Sequence, residues 1–206
     1  LERAVTDYNV TGRGVVIVMD VKTGGILAMA TKGDFDPNDP FTIYDEAQRA
    51  AVDAVQDDPA TTDVDEHKEA LSAAQYAQWR NKAVSDLYEP GSVFKIVTAS
   101  AALDSGSSTL NDTFTCTGSI DVSGVTMHCA KLTGHGKETF SQALINSCNP
   151  AFIQIGTKMG AETFFNYFNA FGLTQKTGID LPGEAQSQFY TADTLGPVQL
   201  ASSSPR

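Results

Sequence analysis

Ser92 and Lys95 stand three positions apart at the start of a predicted helix, directly after the turn-forming pair Pro90 and Gly91. Residues three apart share a helix face, so the lysine amine can reach the serine hydroxyl. A serine hydroxyl is a weak nucleophile until a base removes its proton. Burial lowers a lysine pKa and favours the neutral amine that can act as this base. The spacing therefore predicts a nucleophile at Ser92 and its general base at Lys95.

A second polar pair, Ser147 and Asn149, follows 55 residues later and forms an S-x-N pattern. A further hydroxyl can relay protons between the lysine and a leaving amine, and an amide can hold a substrate carbonyl. Alone, S-x-x-K occurs by chance and S-x-N is an ordinary helix end. Together they match two of the three motifs shared by class A β-lactamases and penicillin-binding proteins.

Three predicted helices position these residues. The lysine belongs to "SVFKIVTASAALDSG", which ends at Gly106. The segment "TFSQALINS" begins with Thr139 and Gln142 at capping-box spacing, and its apolar stripe places Ser147 on the inner face. Pro150 suits the first turn of the next helix, "PAFIQIGTKMG".

The N-terminal part of the chain predicts a β-hairpin preceded by a short amphipathic helix. The runs "GVVIVMD" and "GGILAMA" are rich in β-branched and apolar residues and flank a glycine-containing turn. The first run is nearly all apolar, which predicts that both of its faces are covered. Residues 42–58 and 66–86 have helical composition on either side of an acidic break at Pro59.

Length and charge limit the function further. The 206 residues suit one domain, or one domain with a lobe. The formal net charge of −11 argues against a nucleic-acid partner, since phosphate binding needs clustered lysine and arginine. No apolar run approaches the roughly 20 residues that a membrane-spanning helix needs. The chain starts with Leu1 in an apparent helix, and we expect it to be a piece of a longer protein.

Three cysteines and three histidines are spread along the chain: Cys116, Cys129, Cys148, His67, His128 and His135. No C-x-x-C pair or zinc-type spacing occurs among them, so the sequence predicts no metal site and no cofactor. A hairpin in "FTCTGSIDVSGVTMHC", with "VSG" as its turn, would bring Cys116 close to Cys129. Whether the two form a disulfide depends on an oxidising compartment and stays open.

The chain resembles the transpeptidase domain of class B penicillin-binding proteins. The resemblance covers nearly the whole sequence and rests on "VVIVMDVKTGGILAMA", "WRNKAVSDLYEPGSVFKIVTASAAL", "GHGKETFSQALINSCNPAFIQIG" and "FGLTQKTGIDLPGE". "LINSCNPAF" and the cysteine-bearing hairpin look most like division- and sporulation-type members from Gram-positive bacteria. The implied fold is α/β, an antiparallel sheet packed with helices plus a mostly helical lobe, with residues 1–206 forming a partial transpeptidase domain.

The resemblance also implies a role for each motif residue. Ser92 would be acylated by the penultimate D-Ala of a peptidoglycan stem peptide, with Lys95 as its base, Ser147 as proton relay and Asn149 as the group that orients the peptide. The amine of a neighbouring stem peptide would then take the acyl group. β-Lactams would imitate the D-Ala-D-Ala end and block Ser92. The family further implies an anchor that holds the parent protein at the extracytoplasmic face of the membrane, and a membrane-embedded glycan polymerase as a possible partner.

The third family motif, K-T-G, is the point of departure. "QKTGID" spells it at Lys176, but the surrounding "GLTQKTGIDLPGE" is typical of a loop and resembles a structural segment of the family. We therefore predict that Lys176 is not catalytic and that the catalytic K-T-G strand and neighbouring C-terminal strands are missing. The N-terminal hairpin would then keep an open edge and an uncovered apolar face. We expect this chain to be an incomplete, poorly active fragment that labels weakly or not at all with penicillin.

Two other functions remain open from the sequence. A serine β-lactamase would need a carboxylate placed to activate water for deacylation, and neither Glu162 nor Glu184 fits that context. A non-catalytic penicillin-binding sensor or scaffold lobe would keep the serine pocket without turnover. Stable, transient or absent labelling with a fluorescent penicillin would distinguish the transpeptidase, the lactamase and the sensor.

Overall fold

The computed structural model describes residues 1–12, 14–57 and 65–205. The chain divides into two compact units, one formed by Leu1–Asp86 and Asp180–Ala185, the other by Leu87–Ile179 and Gln186–Arg206. The predicted break at Pro59 lies outside the described residues. Within the described ranges, no helix combines the length and apolar character needed to cross a bilayer.

The first unit contains the predicted N-terminal helix, the predicted hairpin and three helices that lie within the segments 42–58 and 66–86, as their composition predicted. Its elements are α1 (Glu2–Asp7), β1 (Val15–Met19), β2 (Ile26–Thr31), α2 (Glu46–Asp53), α3 (Glu66–Trp79) and α4 (Lys82–Ser85). The two strands pair antiparallel from Val15 opposite Thr31 to Met19 opposite Ile26. The connecting turn is closed by the Asp20 carboxylate, which accepts hydrogen bonds from the Lys22 backbone and the Thr23 hydroxyl.

The faces of β1 are not covered within this unit. Its side chains retain between 39% (Val15) and 52% (Met19) of their accessible surface. Packing on the hairpin comes mainly from α4, a helix of four residues that is too short to cover a sheet. The prediction that both faces of β1 are covered is therefore wrong for the described residues, whereas the predicted uncovered apolar face is present.

The helices α2 and α3 begin where their sequences place an acidic cap. Asp45 accepts a hydrogen bond from the Gln48 backbone, and Asp65 accepts one from the Lys68 backbone. The buried amide of Gln78 accepts from the Tyr44 backbone. The same amide donates to carbonyls of the segment 40–42, so that it fastens this loop onto α3.

The second unit contains the residues predicted to carry the chemistry. A 3-10 helix (Gly91–Phe94) leads into α5 (Lys95–Asp104), and four short strands and four helices follow: β3 (Thr113–Cys116), β4 (Ser119–Val122), β5 (Val125–His128), β6 (Gly136–Thr139), α6 (Phe140–Ile145), α7 (Asn149–Met159), α8 (Ala161–Ala170) and α9 (Pro197–Ser203). The capping box of Thr139 and Gln142 is formed as predicted. Gly106 follows α5 with a φ of +71°, as expected of a helix end.

The core of this unit lies where α5, α7 and α9 meet. Ala102, Ala151 and Phe152 are fully buried there. The Thr98 hydroxyl donates to the Ser204 carbonyl at 2.9 Å in the interior and so joins α5 to the end of α9. Helix α9 was not predicted from the sequence, because "GPVQLASSS" has a proline and three serines and little apolar periodicity.

Two small antiparallel sheets lie beside this core. The β4–β5 hairpin turns at Ser123 and Gly124, whose φ values of +53° and +82° belong to a tight turn, and it confirms the predicted "VSG" turn. Cys116, however, lies on β3, which pairs with β6 instead of with the strand that precedes Cys129. The chain returns from β5 to β6 through a loop that contains Gly134 and His135.

The close crossing at Gly134 yields a stability prediction. Gly134 and Gly136 have similar φ values of +78° and +75°. A Cβ on Gly134 would lie 2.2 Å from the Cys116 carbonyl oxygen, whereas a Cβ on Gly136 meets nothing within 4 Å. Gly136→Ala should cost the roughly 1–2 kcal/mol of a left-handed conformation. Gly134→Ala should cost about 1–3 kcal/mol more because of overpacking. Urea unfolding of both variants measures the difference, and equal losses would contradict the close crossing.

Candidate active site

The backbone around Ser92 presents the hydroxyl while burying the lysine. Gly91 has a φ of +65°, a conformation that favours glycine, and it turns the chain into the 3-10 helix that carries Ser92. The α-helical hydrogen-bonding pattern starts at Lys95. Ser92 is exposed, whereas only 1% of Lys95 is accessible. The predicted reach between the two side chains is present, since Lys95 Nζ lies 2.8 Å from Ser92 Oγ.

Lys95 brings both motifs together. Besides Ser92, its Nζ lies 3.1 Å from Ser147 Oγ and 2.9 Å from Asn149 Oδ1. The Ser147 hydroxyl is also 2.9 Å from Ser92 Oγ, so the amine and the two hydroxyls form a closed triangle. All four residues that the sequence predicted for the site therefore meet at one nitrogen.

Ser147 occupies a backbone conformation that the sequence did not predict. Helix α6 ends at Ile145, and Ser147 follows the cap with a φ of +50°. Its N–H donates to the Leu144 carbonyl and the next N–H, of Cys148, donates to the Ala143 carbonyl, which is a Schellman helix end. Glycine usually occupies this left-handed position. The prediction that Ser147 lies on the inner face of the helix is wrong, because the helix closes before it and the turn, not the helix, aims the hydroxyl.

Asn149 links the site to the β4–β5 hairpin. It is the first residue of α7, followed by Pro150 as predicted. Its Oδ1 accepts from Lys95, and its Nδ2 donates to the His128 carbonyl at 3.2 Å. The His128 carbonyl sets the amide orientation, because a carbonyl can only accept from the nitrogen, and this leaves Oδ1 facing Lys95.

Burial shifts the protonation of Lys95 in the direction that the chemistry needs. Desolvation lowers the pKa of Lys95, because the charged form loses its hydration. The nearby thiols of Cys148 and Cys129 oppose this shift when they carry negative charge. The ring of Phe152, whose centroid lies 5.7 Å from Nζ, adds an apolar wall.

The three hydrogen-bond partners of Lys95 also suit a neutral amine. A neutral amine donates two hydrogen bonds and accepts one. Asn149 Oδ1 must take one proton, one hydroxyl takes the other, and the remaining hydroxyl can donate to the nitrogen lone pair. A proton can therefore pass from Ser92 or Ser147 to Lys95 without any side chain moving away.

An open pocket of about 520 Å³ lies in front of Ser92. It is lined by residues of the 3-10 helix, β5, α7 and the C-terminal segment: Gly91, Ser92, Val125, Thr126, Met127, His128, Asn149, Ile153, Val198, Ser202 and Pro205. These described residues include no carboxylate. The strand β5 forms one wall, and Val125 and Met127 bring apolar side chains to it.

Lys176 lies apart from these residues, in an exposed segment without regular secondary structure. It is absent from the pocket lining. The prediction that "QKTG" is part of a loop is confirmed by this placement. Its exclusion from catalysis remains a prediction.

The structure also brings together residues whose spacing gave no such indication. Cys116, Cys129, Cys148 and His135 place one ligand atom each within 4.8 Å of one another, and all three cysteines are free thiols. They are thirteen, six and thirteen positions apart, in four different parts of the second unit, so no short motif announces them. A hairpin prediction brought two of the cysteines close, but the contribution of His135 and Cys148 requires the tertiary fold.

Comparison with known proteins identifies the family. The family model for the penicillin binding protein transpeptidase domain matches residues 14–203. The chain belongs to the penicillin-binding protein transpeptidase domain family. The α/β transpeptidase fold and the family resemblance inferred from the sequence are both confirmed.

Relatives of this transpeptidase domain include two curated bacterial proteins. Stage V sporulation protein D of Bacillus subtilis is 35% identical over 202 residues, which cover 98% of this chain and 26% of the relative. Peptidoglycan D,D-transpeptidase PbpA of Mycobacterium tuberculosis is 30% identical over 191 residues, covering 90% of this chain and 34% of the relative. The chain thus spans about a quarter to a third of the length of these proteins.

Solved structures support the same fold. The D,D-transpeptidase domain of a peptidoglycan glycosyltransferase from Eggerthella lenta superimposes with a TM-score of 0.73 at 28% identity, covering 98% of this chain and 44% of that one. Penicillin binding protein 3 from Mycobacterium tuberculosis, complexed with aztreonam, gives a TM-score of 0.70 at 30% identity. That match covers 97% of this chain and 38% of the other.

The lowered pKa of Lys95 predicts how stability depends on pH. Because the folded-state pKa of Lys95 lies below the ordinary value of 10.5, the unfolded chain binds more protons between these two values. The free energy of unfolding therefore rises with pH across that window. Denaturant unfolding of the wild type and of Lys95→Met at increasing pH should show the wild type gaining stability relative to the variant. A constant difference would mean that Lys95 stays normally protonated.

The left-handed backbone of Ser147 predicts that two substitutions there will differ in stability but not in their effect on acylation. Ser147→Gly and Ser147→Ala both remove the hydroxyl, but only glycine relieves the backbone, so Ser147→Gly should be the more stable variant by about 1 kcal/mol. Both should slow acylation of Ser92 to a similar extent. Urea unfolding and penicillin labelling of the two variants measure these effects. Equal stability would indicate that the turn carries no strain.

Proposed function

We propose that this chain carries the serine acyl-transfer site of a peptidoglycan D,D-transpeptidase. The observation that supports it most is the buried Lys95 amine within 2.8 Å of an exposed Ser92 hydroxyl. A nucleophile at the surface and a desolvated base directly behind it are what acyl transfer by serine requires.

The first half-reaction forms an acyl-enzyme. Ser92 Oγ attacks the carbonyl carbon of the penultimate D-Ala of a stem peptide while its proton moves to Lys95. The proton then passes through the Ser147 hydroxyl to the nitrogen of the terminal D-Ala, the peptide C–N bond breaks, and D-Ala leaves. The distances among Lys95, Ser147 and Ser92, all between 2.8 and 3.1 Å, allow this relay without rearrangement.

The second half-reaction runs the relay in reverse. The amine of a neighbouring stem peptide attacks the acyl carbon and gives up a proton to the Ser147 and Lys95 pair. The ester bond to Ser92 breaks and Ser92 Oγ regains a proton, which leaves the cross-linked peptide and the free enzyme. Asn149 Nδ2 would orient the peptide, and backbone N–H groups at the start of the 3-10 helix would contribute to stabilising the oxyanion.

β-Lactams fit the same site as inhibitors. Penicillin binding protein 3 from Mycobacterium tuberculosis, which shares this fold, has been solved in complex with aztreonam. Opening of a lactam ring by Ser92 would leave an ester that lacks a nearby water-activating group, since the described pocket lining holds no carboxylate. We therefore expect a long-lived acyl-enzyme instead of β-lactamase turnover.

The setting of the reaction follows from its substrate. Peptidoglycan is cross-linked at the extracytoplasmic face of the cell membrane, and we place the natural protein that contains this chain there. Its remaining length would supply the anchor and could engage a membrane-embedded glycan polymerase.

Covalent labelling with a fluorescent penicillin tests the proposal in the natural protein. We expect a stable adduct whose mass corresponds to one antibiotic on Ser92, and no adduct in Ser92→Ala. Loss of a general base slows a reaction by about 10²–10⁴-fold, so labelling of Lys95→Met should be at least about 100-fold slower. Ser100→Ala is the matched control and should label normally, because Ser100 lies on the same helix and its hydroxyl donates to the Ile96 carbonyl of that helix.

Each other outcome would count against the transpeptidase. Labelling followed by rapid release would indicate a β-lactamase, and absence of labelling would indicate a sensor or scaffold. For the isolated 206-residue chain, the expectation of weak labelling stands, and complete acylation would show it to be wrong.

A further inference from the structure

Three cysteines and a histidine form a compact group next to the S-x-N motif. Cys116 ends β3, Cys129 follows β5, His135 lies in the loop before β6, and Cys148 caps the N-terminus of α7. Their ligand atoms lie within 4.8 Å of one another, with Cys129 Sγ 3.7 Å from His135 Nδ1. We propose that these four residues bind a structural zinc ion.

The geometry suits a four-coordinate ion. Zinc with Zn–S bonds of about 2.3 Å in a tetrahedron places two sulfurs about 3.8 Å apart. The observed spread needs only small side-chain movements to reach this value. Three thiolates and one imidazole complete the four ligands of a closed structural site and leave no position open for substrate or water.

Backbone N–H groups contact two of the buried sulfurs, as they do in metal sites. Cys116, Cys129 and Cys148 are each at most 3% exposed. Backbone N–H groups of Gly118 and His135 donate to the Cys116 sulfur. The N–H of Ala151, in the first turn of α7, donates to Cys148. Such N–H···S contacts hold ligating sulfurs in place.

A buried carboxylate lies beside the group. Glu138 is only 3% exposed; one of its oxygens accepts from Asn146, and the other has no hydrogen-bond partner among the described residues. The Cys148 thiol lies against the Glu138 carboxylate. Ionising three thiols beside this carboxylate concentrates negative charge in the interior, and a divalent ion bound to the sulfurs supplies two opposite charges.

Zinc fits better than the alternatives. A disulfide can join only two of the three cysteines and would leave the third thiol and His135 without a role. Hard cations prefer oxygen ligands, whereas three sulfurs with one imidazole favour zinc. The site is also distinct from the substrate pocket, whose lining includes none of the four residues.

The consequence for the proposed transpeptidase is mechanical, and this part alone depends on the proposed function. Cys148 is the middle residue of the S-x-N motif, so a bond from its sulfur to the ion holds Ser147 and Asn149 on either side. Cys129 directly follows His128, whose carbonyl accepts from Asn149. Through its bonds to Cys148 and Cys129, the ion would hold both the left-handed turn at Ser147 and the β4–β5 hairpin whose carbonyl orients Asn149. Its role would be to position these residues.

Metal analysis of the natural, untagged protein tests the site. Elemental analysis by mass spectrometry should find one zinc per chain. His135→Asn and Cys129→Ser should each weaken zinc binding by more than the roughly 10–100-fold that loss of an outer partner costs. His67→Asn, a histidine outside the group, is the matched control and should retain the full zinc content.

A second measurement needs no variant. Removing the metal with a chelator should lower the melting temperature, and zinc should restore it; Co²⁺ should give the intense thiolate-to-metal absorption of a tetrahedral sulfur site. Zinc-free protein with three titratable thiols and no Co²⁺ spectrum, or protein isolated with a disulfide between two of these cysteines, would overturn the proposal. None of these readouts uses penicillin labelling. The zinc proposal can therefore be disproved while the acyl-transfer function is supported, and the acyl-transfer function can be disproved while the zinc site is supported.

Discussion

The placement of one amino group in the protein interior is the constraint on which the site depends. Lys95 has lost almost all contact with water, and its amine is hydrogen-bonded to Ser92, Ser147 and Asn149. A charge in such a place is costly unless it is neutralised or hydrogen-bonded. Burial destabilises the charged form of Lys95, and the neutral amine that results is the form that can take a proton from Ser92. The same burial therefore explains both the lysine in an otherwise apolar stretch and its capacity to act as a base.

Holding three partners around one nitrogen requires three separate pieces of backbone. Ser92 is fixed by local helix geometry, since it lies one turn from Lys95. Ser147 reaches the amine only because α6 closes early in a left-handed turn, and Asn149 only because α7 starts immediately afterwards. The strain at Ser147 is the kind that persists where the surrounding structure over-determines a residue. The S-x-N motif thus lies at the junction between α6 and α7. The two-residue spacing from Ser147 to Asn149 is set by the short turn that connects the two helices.

Sequence reasoning succeeded where the determining interactions are local. The reach from Ser92 to Lys95, the capping box at Thr139 and the β4–β5 turn all depend on residues within four positions of each other. It failed at Ser147, because the usual glycine signal of this helix end is replaced by serine. It also failed at α9 and at the cysteine and histidine group, since both are defined by contacts between distant segments. The two-sided burial expected of β1 was inferred from composition, which does not say what covers a strand.

The contrast in exposure between Ser92 and Lys95 affects how the protein meets reagents from solution. An electrophile that diffuses into the pocket encounters the serine oxygen, while the neighbouring nitrogen stays out of reach. Most other lysines of the chain lie at the surface and would be modified first by an amine-directed reagent such as an activated ester. Modification at position 95 would then report that the helix has opened, so this one amine serves as an internal indicator of whether the second unit is folded.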